Sequence, residues 1–145
     1  MLVAHGDQGG GYSVEVRHGH LLFVHNDGHG ATVAHDAGPL ATGRHTVVVE
    51  VAAPGGGVWD VSLLIDGERR GESFRCTMMW PIAPFSGIDV GIDRSSPIDW
   101  RRYEVDGPFP YTGTLHCVRY EPGEPAPDAP VRFVDFLKDW GAKFE

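Results

Sequence analysis

Tyr12 and His25 are the residues of this sequence best suited to acid–base chemistry. Histidine exchanges a proton near neutral pH, and a tyrosine hydroxyl can donate a proton or bind a carbonyl oxygen. They lie in two alternating apolar and polar segments, residues 12–17 and 20–25. If these segments pair as a hairpin, Tyr12 faces His25, and the two become candidate catalytic residues. The alternative, which we favour, is a histidine at the edge of the core that bonds to the tyrosine hydroxyl.

A second group of residues has the chemistry of a ligand-binding surface. Most of it lies in a long polar segment, residues 87–113, that shows no helical period. Aromatic rings stack on sugars or apolar ligands, and a guanidinium group matches carboxylate or sulfate geometry. We expect this segment to form a lid over the hairpin. The alternative is aromatic packing at the mouth of the domain, with the arginines paired to neighbouring acids. The candidate ligand-binding residues are Trp100, Arg101, Tyr103 and Phe23.

Carboxylates in the same segment are candidate calcium ligands, since calcium prefers several oxygen ligands from loops. Asp89 and Asp93 have the same strand parity and can point to one side, with Asp99 and Asp106 further along. Their spacing fits no EF-hand, and we favour a role in holding the loop. The eight histidines show neither the helical spacing nor the cysteine partners of a zinc site. We therefore predict no cofactor, with calcium at Asp89 and Asp93 as the alternative.

Length, charge and cysteine content limit the class of protein. The 145 residues suit one domain with a substantial core. The formal net charge of −8 argues against nucleic acid and anionic membranes as partners, because both attract basic surfaces. Cys76 and Cys117 can form a disulfide, but the sequence shows no sign of secretion. We favour reduced, half-buried thiols and a cytoplasmic location.

Short strands separated by turns must position these residues. His18 and Gly19 form a two-residue turn that sets the register of the first hairpin, and Asp66 and Gly67 form another. Residues 78–85 are apolar but interrupted by prolines, which indicates an edge strand or a packed loop. The flexible segment 5–11 precedes the first hairpin. The other expected strands cover residues 31–34, 46–51, 59–65, 69–77, 88–92 and 113–120.

The end of the chain changes its hydrophobic period. Residues 122–130 form a proline-rich linker. Apolar residues then recur at helical spacing, which predicts an amphipathic helix over residues 131–145 that must dock on another surface. The apolar positions are Phe133, Phe136, Leu137, Trp140 and Phe144. The elements together predict an all-β protein, an antiparallel sandwich of two sheets with a short C-terminal helix.

Short motifs follow one another along residues 1–121. They are His5-Gly6 with Gly9-Gly10, SVEVRHG from Ser13, Asn26, LATGRHT from Leu40, LIDG from Leu64, Asp89 and Gly91 with Asp93, Ser96-Pro97, and PFPYTG from Pro108. This series resembles the C-terminal β-sandwich domain of bacterial arylsulfatase-type sulfatases. The resemblance implies a jelly-roll sandwich of the concanavalin/laminin-G kind.

The same resemblance argues against sulfatase activity. In that family the catalytic groups lie in a separate α/β domain, with a modified Cys or Ser in a C/S-x-P-x-R motif. The sequence around Cys76 does not fit this motif. The family domain also begins with a further strand, so we expect an unpaired sheet edge here. His25 and Asp27 stand where the family has Tyr and Phe beside Asn26, which makes this end of the sheet more polar.

Two functional hypotheses remain. In the first, the chain is a non-catalytic ligand-binding or assembly module for a small molecule or carbohydrate. It would form a homo-oligomer through the unpaired edge or the C-terminal helix. In the second, it is a small cyclase, isomerase or hydrolase that acts on an apolar organic substrate with Tyr12 and His25. The second hypothesis needs an open concavity above the hairpin face, and a filled face argues against it.

Overall fold

The structure, a computed structural model, describes residues 1–77, 87–94 and 96–141. The elements in chain order are β1 (Val3–Asp7), β2 (Gly10–Arg17), β3 (His20–Asn26), β4 (Thr32–Pro39), β5 (Val47–Gly55), β6 (Val58–Ile65), β7 (Glu68–Thr77), β8 (Ile88–Val90), α1 (Trp100–Asp106) and α2 (Ala129–Gly141). Sheet A has five antiparallel strands in the order β4-β3-β2-β1-β8, and sheet B has three in the order β5-β6-β7.

The hairpin of β2 and β3 has the predicted register. Tyr12 lies opposite His25, and Val14 lies opposite Phe23. His18 has a φ of 49° and Gly19 a φ of 78°, as the tight turn requires. The side chains of Tyr12, Val14 and Phe23 therefore share the face of sheet A that looks towards sheet B.

The two sheets enclose one hydrophobic core. Val61, Leu63 and Ile65 of β6 are at most 3% exposed and meet the sheet A side chains there. Their alternation along β6 is the predicted one, because successive side chains of a strand point to opposite faces. The all-β architecture with two packed antiparallel sheets is thus confirmed. The buried members of this core are Leu2, Val3, Val14, Leu21, Phe23, Ala37, Val61, Leu63, Ile65 and Cys76.

The first strand is not the expected sheet edge. β1 pairs with β2 on one side and with β8 on the other. Residues 5–11, predicted to be flexible, form the end of β1, a tight turn and the start of β2. Gly6 and Gly11 allow this turn, because a Cβ on Gly11 would lie 2.3 Å from the carbonyl oxygen of His5. The strand at residues 88–92 is confirmed in shorter form as β8.

Residues 91–94 and 96–110, here called the strap, cross the outer face of sheet A. The strap contains α1, a helix that the sequence analysis did not predict. Asp99 caps α1, since its side chain accepts a hydrogen bond from the Arg102 N–H. Ile98, just before the cap, is fully buried against Met1 and Ala4. The outer face of sheet A is therefore a second, smaller core.

The strand predicted at residues 113–120 does not form. Leu115 and Val118 pack against the main core, whereas His116 and Cys117 are exposed. Buried positions three residues apart do not fit the period of two that a strand has. The prediction of a strand over residues 113–120 was wrong for this reason. The apolar segment 78–85 lies outside the described residues.

The C-terminal helix α2 begins two residues earlier than predicted and docks at its first turn. The Asp128 side chain accepts a hydrogen bond of 2.8 Å from the Gly56 N–H, in the turn between β5 and β6. Arg132 donates to the same carboxylate at 2.9 Å. No helix among the described residues is long and apolar enough to cross a membrane.

Gly57 should be needed for this docking, because a Cβ there would lie 2.4 Å from the Arg132 guanidinium. We expect Gly57→Ala to displace Arg132 and to speed hydrogen exchange of its amide, which bonds to the Asp128 carbonyl. Gly71→Ala is the matched control, since Gly71 has a φ of 70° against 74° for Gly57 but an open Cβ position. Both variants should lose similar global stability, within about 0.5 kcal/mol. Equal exchange at Arg132 in the two variants would contradict the docking.

Candidate functional site

Tyr12 and His25 are cross-strand neighbours, as predicted, but they bond to other groups. The Tyr12 hydroxyl lies 3.2 Å from the Tyr120 hydroxyl. His25 Nε2 lies 3.0 Å from the Thr77 carbonyl oxygen. This oxygen can only accept, so the Nε2–H of a neutral imidazole donates to it. His25 thus lies at the edge of the core, but its hydrogen-bond partner is Thr77 and not the predicted Tyr12.

The surroundings of Tyr12 and His25 hold both side chains in their neutral forms. Burial lowers the pKa of His25, and the hydrogen bond to Thr77 opposes this only in part. Burial also raises the pKa of Tyr12, and the hydrogen bond to Tyr120 raises it further. At neutral pH the pair therefore consists of a neutral imidazole and a protonated phenol.

Aromatic packing fills the space around Tyr12. Its ring stacks on Phe23 at 5.4 Å between centroids, with an angle of 12° between the planes. The edges of the His5 and Trp59 rings approach it at 5.8 and 6.2 Å. Phe23 itself is 1% exposed and also contacts Phe74. A ligand could reach Phe23, a predicted binding residue, only if this core opened.

The other predicted ligand-binding residues lie on the opposite side of sheet A. Trp100, Arg101 and Tyr103 belong to α1, the helical part of the strap. α1 lies against the face of sheet A that carries Ser13 and Glu15, not against the face that carries Tyr12. The predicted lid over the hairpin is therefore wrong. Alternate residues of β2 point to opposite faces, so α1 and the Tyr12 ring are separated by the sheet.

The residues of α1 that were predicted to hold a ligand contact other groups of this chain instead. The guanidinium of Arg101 lies over the Trp100 ring, 5.5 Å from its centroid. Arg101 also donates to the Gly30 carbonyl at 3.5 Å. Trp100 remains 38% exposed. These contacts attach α1 to the loop between β3 and β4.

Glu15 is a buried charged residue that the sequence did not reveal. Its side chain is 2% exposed, and it receives hydrogen bonds from Arg17 and, at 2.7 Å, from Arg102 of α1. Arg102 also donates to Asp106 at 2.9 Å and stacks over Phe109, 4.1 Å from the ring centroid. Glu15 sits at a polar position of an alternating strand, which suggested solvent. The sequence signal for its burial is in the strap. There the apolar Ile98, which packs on the sheet, is followed four residues later by Arg102, whose charge pairs with Glu15.

The aspartates of the strap hold its backbone. Asp89 accepts a hydrogen bond of 2.8 Å from the Arg94 N–H, and Asp93 accepts one of 2.9 Å from the Ile98 N–H. Loop scaffolding, the interpretation that we favoured, accounts for both contacts. Among the described residues, no group of three or more His, Cys, Asp or Glu side chains could hold a metal ion. In this part of the chain, no third His, Cys, Asp or Glu side chain thus joins Asp89 and Asp93 in a metal site.

Asn26 joins three loops at one end of sheet A. Its amide donates to the carbonyl oxygens of Gln8, at 3.1 Å, and Ile98, at 2.9 Å. Its side-chain oxygen accepts from the Gly28 N–H at 2.9 Å. Asn26 is 4% exposed, and these bonds satisfy its amide without a ligand.

Both cysteines are free thiols. Cys76 is buried on β7, and this burial raises its pKa to about 11, so it is a poor nucleophile at neutral pH. Cys117 is exposed rather than half-buried, contrary to expectation. Neither thiol completes a catalytic group with a neighbouring histidine among the contacts of the described residues.

Comparison of the chain with protein-family models, with curated proteins and with solved structures gave no match. The resemblance to the sulfatase C-terminal domain therefore rests on the motifs alone and stays a prediction.

Arg102, through its contact with Glu15, should stabilise the fold far more than the neighbouring Arg101 does. Removing one partner of a buried ion pair leaves an uncompensated charge, at a cost of roughly 3 kcal/mol. We expect this loss for Arg102→Ala, reduced to the extent that Arg17 compensates, and less than about 0.5 kcal/mol for Arg101→Ala. Urea unfolding measures both. Equal losses would show that the strap does not depend on Glu15.

Asp93 should make the stability depend on pH. Burial raises its pKa to about 6, from an ordinary value of 3.8, and the charges of Asp89 and Glu15 add to this. The folded protein binds this proton more tightly than the unfolded chain, so stability should rise as pH falls from about 6 towards 4.

In the Asp93→Asn variant the side-chain oxygen can still accept a hydrogen bond from the Ile98 N–H, but the side chain carries no charge. We expect the variant to be more stable than wild type at pH 7 by about 2 kcal/mol, and the two to converge near pH 4. Asp135→Asn, at an exposed site on α2, should change stability little at either pH. Denaturant titrations at pH 4, 5, 6 and 7 test this, and an Asp93→Asn curve parallel to wild type would refute it.

Proposed function

We propose that this protein is a non-catalytic assembly module whose binding element is α2. The observation that carries the proposal is the exposure of large apolar side chains along α2. Val131 is 63% exposed, Phe133 and Leu137 are 50% exposed, and Val134 is 48% exposed. Contact of these apolar groups with water is unfavourable, so a partner that covers them is stabilised by the hydrophobic effect.

The interior of the sandwich supports a binding role over a catalytic one. A catalytic concavity needs converging polar groups that a substrate can reach. Here His25 Nε2 is bonded to Thr77, the Tyr12 hydroxyl is bonded to Tyr120, and Phe23 fills the face between them. Acid–base catalysis on an apolar substrate is therefore the weaker hypothesis.

A second copy of the chain is the partner that we propose. The chain carries a formal net charge of −8, which opposes self-association over most of its surface. Four charged groups of α2 and of the residue before it form ion pairs, Asp128 with Arg132 and Asp135 with Lys138. The apolar side chains thus lie where electrostatic repulsion between two copies is small. A symmetric dimer, with α2 packed against α2, is the simplest such assembly.

The origin and location of the module are further proposals. A jelly-roll connectivity related to the sulfatase C-terminal domain is supported by the order of the motifs and by the two packed sheets. Binding of a carbohydrate or other small molecule remains secondary, because α1 with Trp100 and Arg101 is engaged by the loop at Gly30. A cytoplasmic location is supported by the free thiols.

Removing apolar side chains from α2 should abolish the dimer. We expect wild type to show twice the monomer mass by light scattering during size-exclusion chromatography, and Phe133→Ser with Leu137→Ser to show the monomer mass. Each half-exposed side chain should contribute about 1 kcal/mol when covered, since full burial contributes ~1.5–3 kcal/mol. Asp135→Ser, on the same helix, should leave the dimer intact.

Urea unfolding of the double variant is the control that its sandwich is still folded. The double variant should unfold in urea with an unchanged midpoint at low concentration, because the exposed side chains contribute little to the monomer. A wild-type protein that remains monomeric at high micromolar concentration would refute the proposed self-association.

A further inference from the structure

Residues 40–46, here called the crossover, connect β4 of sheet A to β5 of sheet B. Its first amide, that of Leu40, donates to the Gly19 carbonyl at 2.7 Å. Its last amide, that of Thr46, donates to Asp66 Oδ1 at 2.8 Å, and the Asp66 N–H returns a bond of 2.8 Å to the Thr46 carbonyl. The crossover is thus attached at both ends to hairpin turns of the two sheets.

His45 lies within the crossover with an acceptor at each ring nitrogen. Nδ1 is 2.7 Å from Asp66 Oδ2, and Nε2 is 3.0 Å from the Ala41 carbonyl oxygen. Neither oxygen carries a proton at neutral pH, so both ring nitrogens must donate. A neutral imidazole has one N–H, and only the imidazolium has two. The geometry therefore fits the charged form of His45.

We propose that His45 is a pH-dependent clamp, which as an imidazolium ties the crossover to the turn at Asp66 and which releases one of its two bonds when it loses a proton. In the neutral form one ring nitrogen presents its lone pair to an acceptor oxygen, and the two repel. Either the Ala41 or the Asp66 contact must then open. The connection between the two sheets loosens as a result.

The charges around His45 act in the direction that the clamp requires. The hydrogen bond to Asp66 raises the pKa of His45 above its ordinary value of 6.5, with the Ala41 carbonyl and the Asp66 charge adding to this. Arg70 of β7 opposes it. Because the folded-state pKa is raised, the clamp is complete below pH 6.5 and is lost as pH rises through the higher folded value.

The other histidine contacts of the described residues do not share this geometry. His20 meets Asp36 through Nδ1 only, and His29 meets the Asp27 carbonyl through Nδ1 only. His25 uses Nε2 for the Thr77 carbonyl. Each of these contacts survives in a neutral imidazole with the proton on the bonded nitrogen. His45 alone among them needs both protons.

Amide hydrogen exchange tests the clamp, with rates divided by the intrinsic rates at each pH. In wild type, the protection of the Thr46 amide should fall by about fivefold between pH 6 and pH 8.5, the effect of one lost hydrogen bond. His45→Gln can donate to only one of the two oxygens, so its Thr46 protection should be low and independent of pH. NMR titration of the His45 ring should show both nitrogens protonated at pH 6.

Two further variants separate the clamp from a general effect of pH. His29→Ala removes an exposed histidine in another loop and should keep the wild-type profile of Thr46. Asp66→Asn keeps an acceptor but removes the charge, and should lower the midpoint of the His45 titration. This last readout applies even if His45→Gln fails to fold.

The proposal is overturned by any of three results. One is a wild-type Thr46 protection that does not change with pH, and another is the same pH dependence in His45→Gln. The third is a His45 midpoint at or below 6.5, or one that Asp66→Asn leaves unchanged. The test uses the monomeric α2 variant as well as wild type, so dimer dissociation cannot produce the effect.

Discussion

The buried carboxylate of Glu15 organises one whole side of this molecule. A charge at 2% exposure is tolerated only with close partners, and Glu15 has Arg17 on its own strand and Arg102 on the strap. Arg102 can reach Glu15 only if α1 lies across sheet A, which in turn places Ile98 over Ala4. The requirement to neutralise one carboxylate therefore fixes the path of the strap, residues 91–94 and 96–110.

This constraint makes sheet A a central layer with two covered faces. Its inner face packs against sheet B through residues such as Phe23 and Val61, which need only shape and apolar surface. Its outer face combines the apolar Ile98 with charged and amide groups, among them Asn26. Apolar packing tolerates substitution of similar volume, whereas the polar face depends on individual bonds. Mutations should therefore be tolerated less well on the strap side.

Local patterns predicted what depends on local rules. The register of β2 with β3 follows from the turn at His18, and the buried face of β6 follows from alternation. No period reveals contacts between residues far apart in sequence. The burial of Glu15 depends on such contacts, as do the formation of α1 and the side of the sheet on which it lies. Residues 113–120 show the same limit, because a strand needs a partner as well as a pattern. For the candidate site, the pairing of Tyr12 with His25 was predictable, but their bonds to Tyr120 and Thr77 were not.

The placement of the titratable groups favours the proposed binding role over catalysis. Catalytic groups must be able to change partner during a reaction, so they need an accessible position. Here His25, Asp93 and Glu15 are buried and bonded within the chain, and the partly exposed His45 makes two such bonds. α2 presents exposed apolar side chains, among them Val131 and Leu137, and Asp128 just before it bonds to the turn between β5 and β6. This contrast supports the assembly role that we propose for α2.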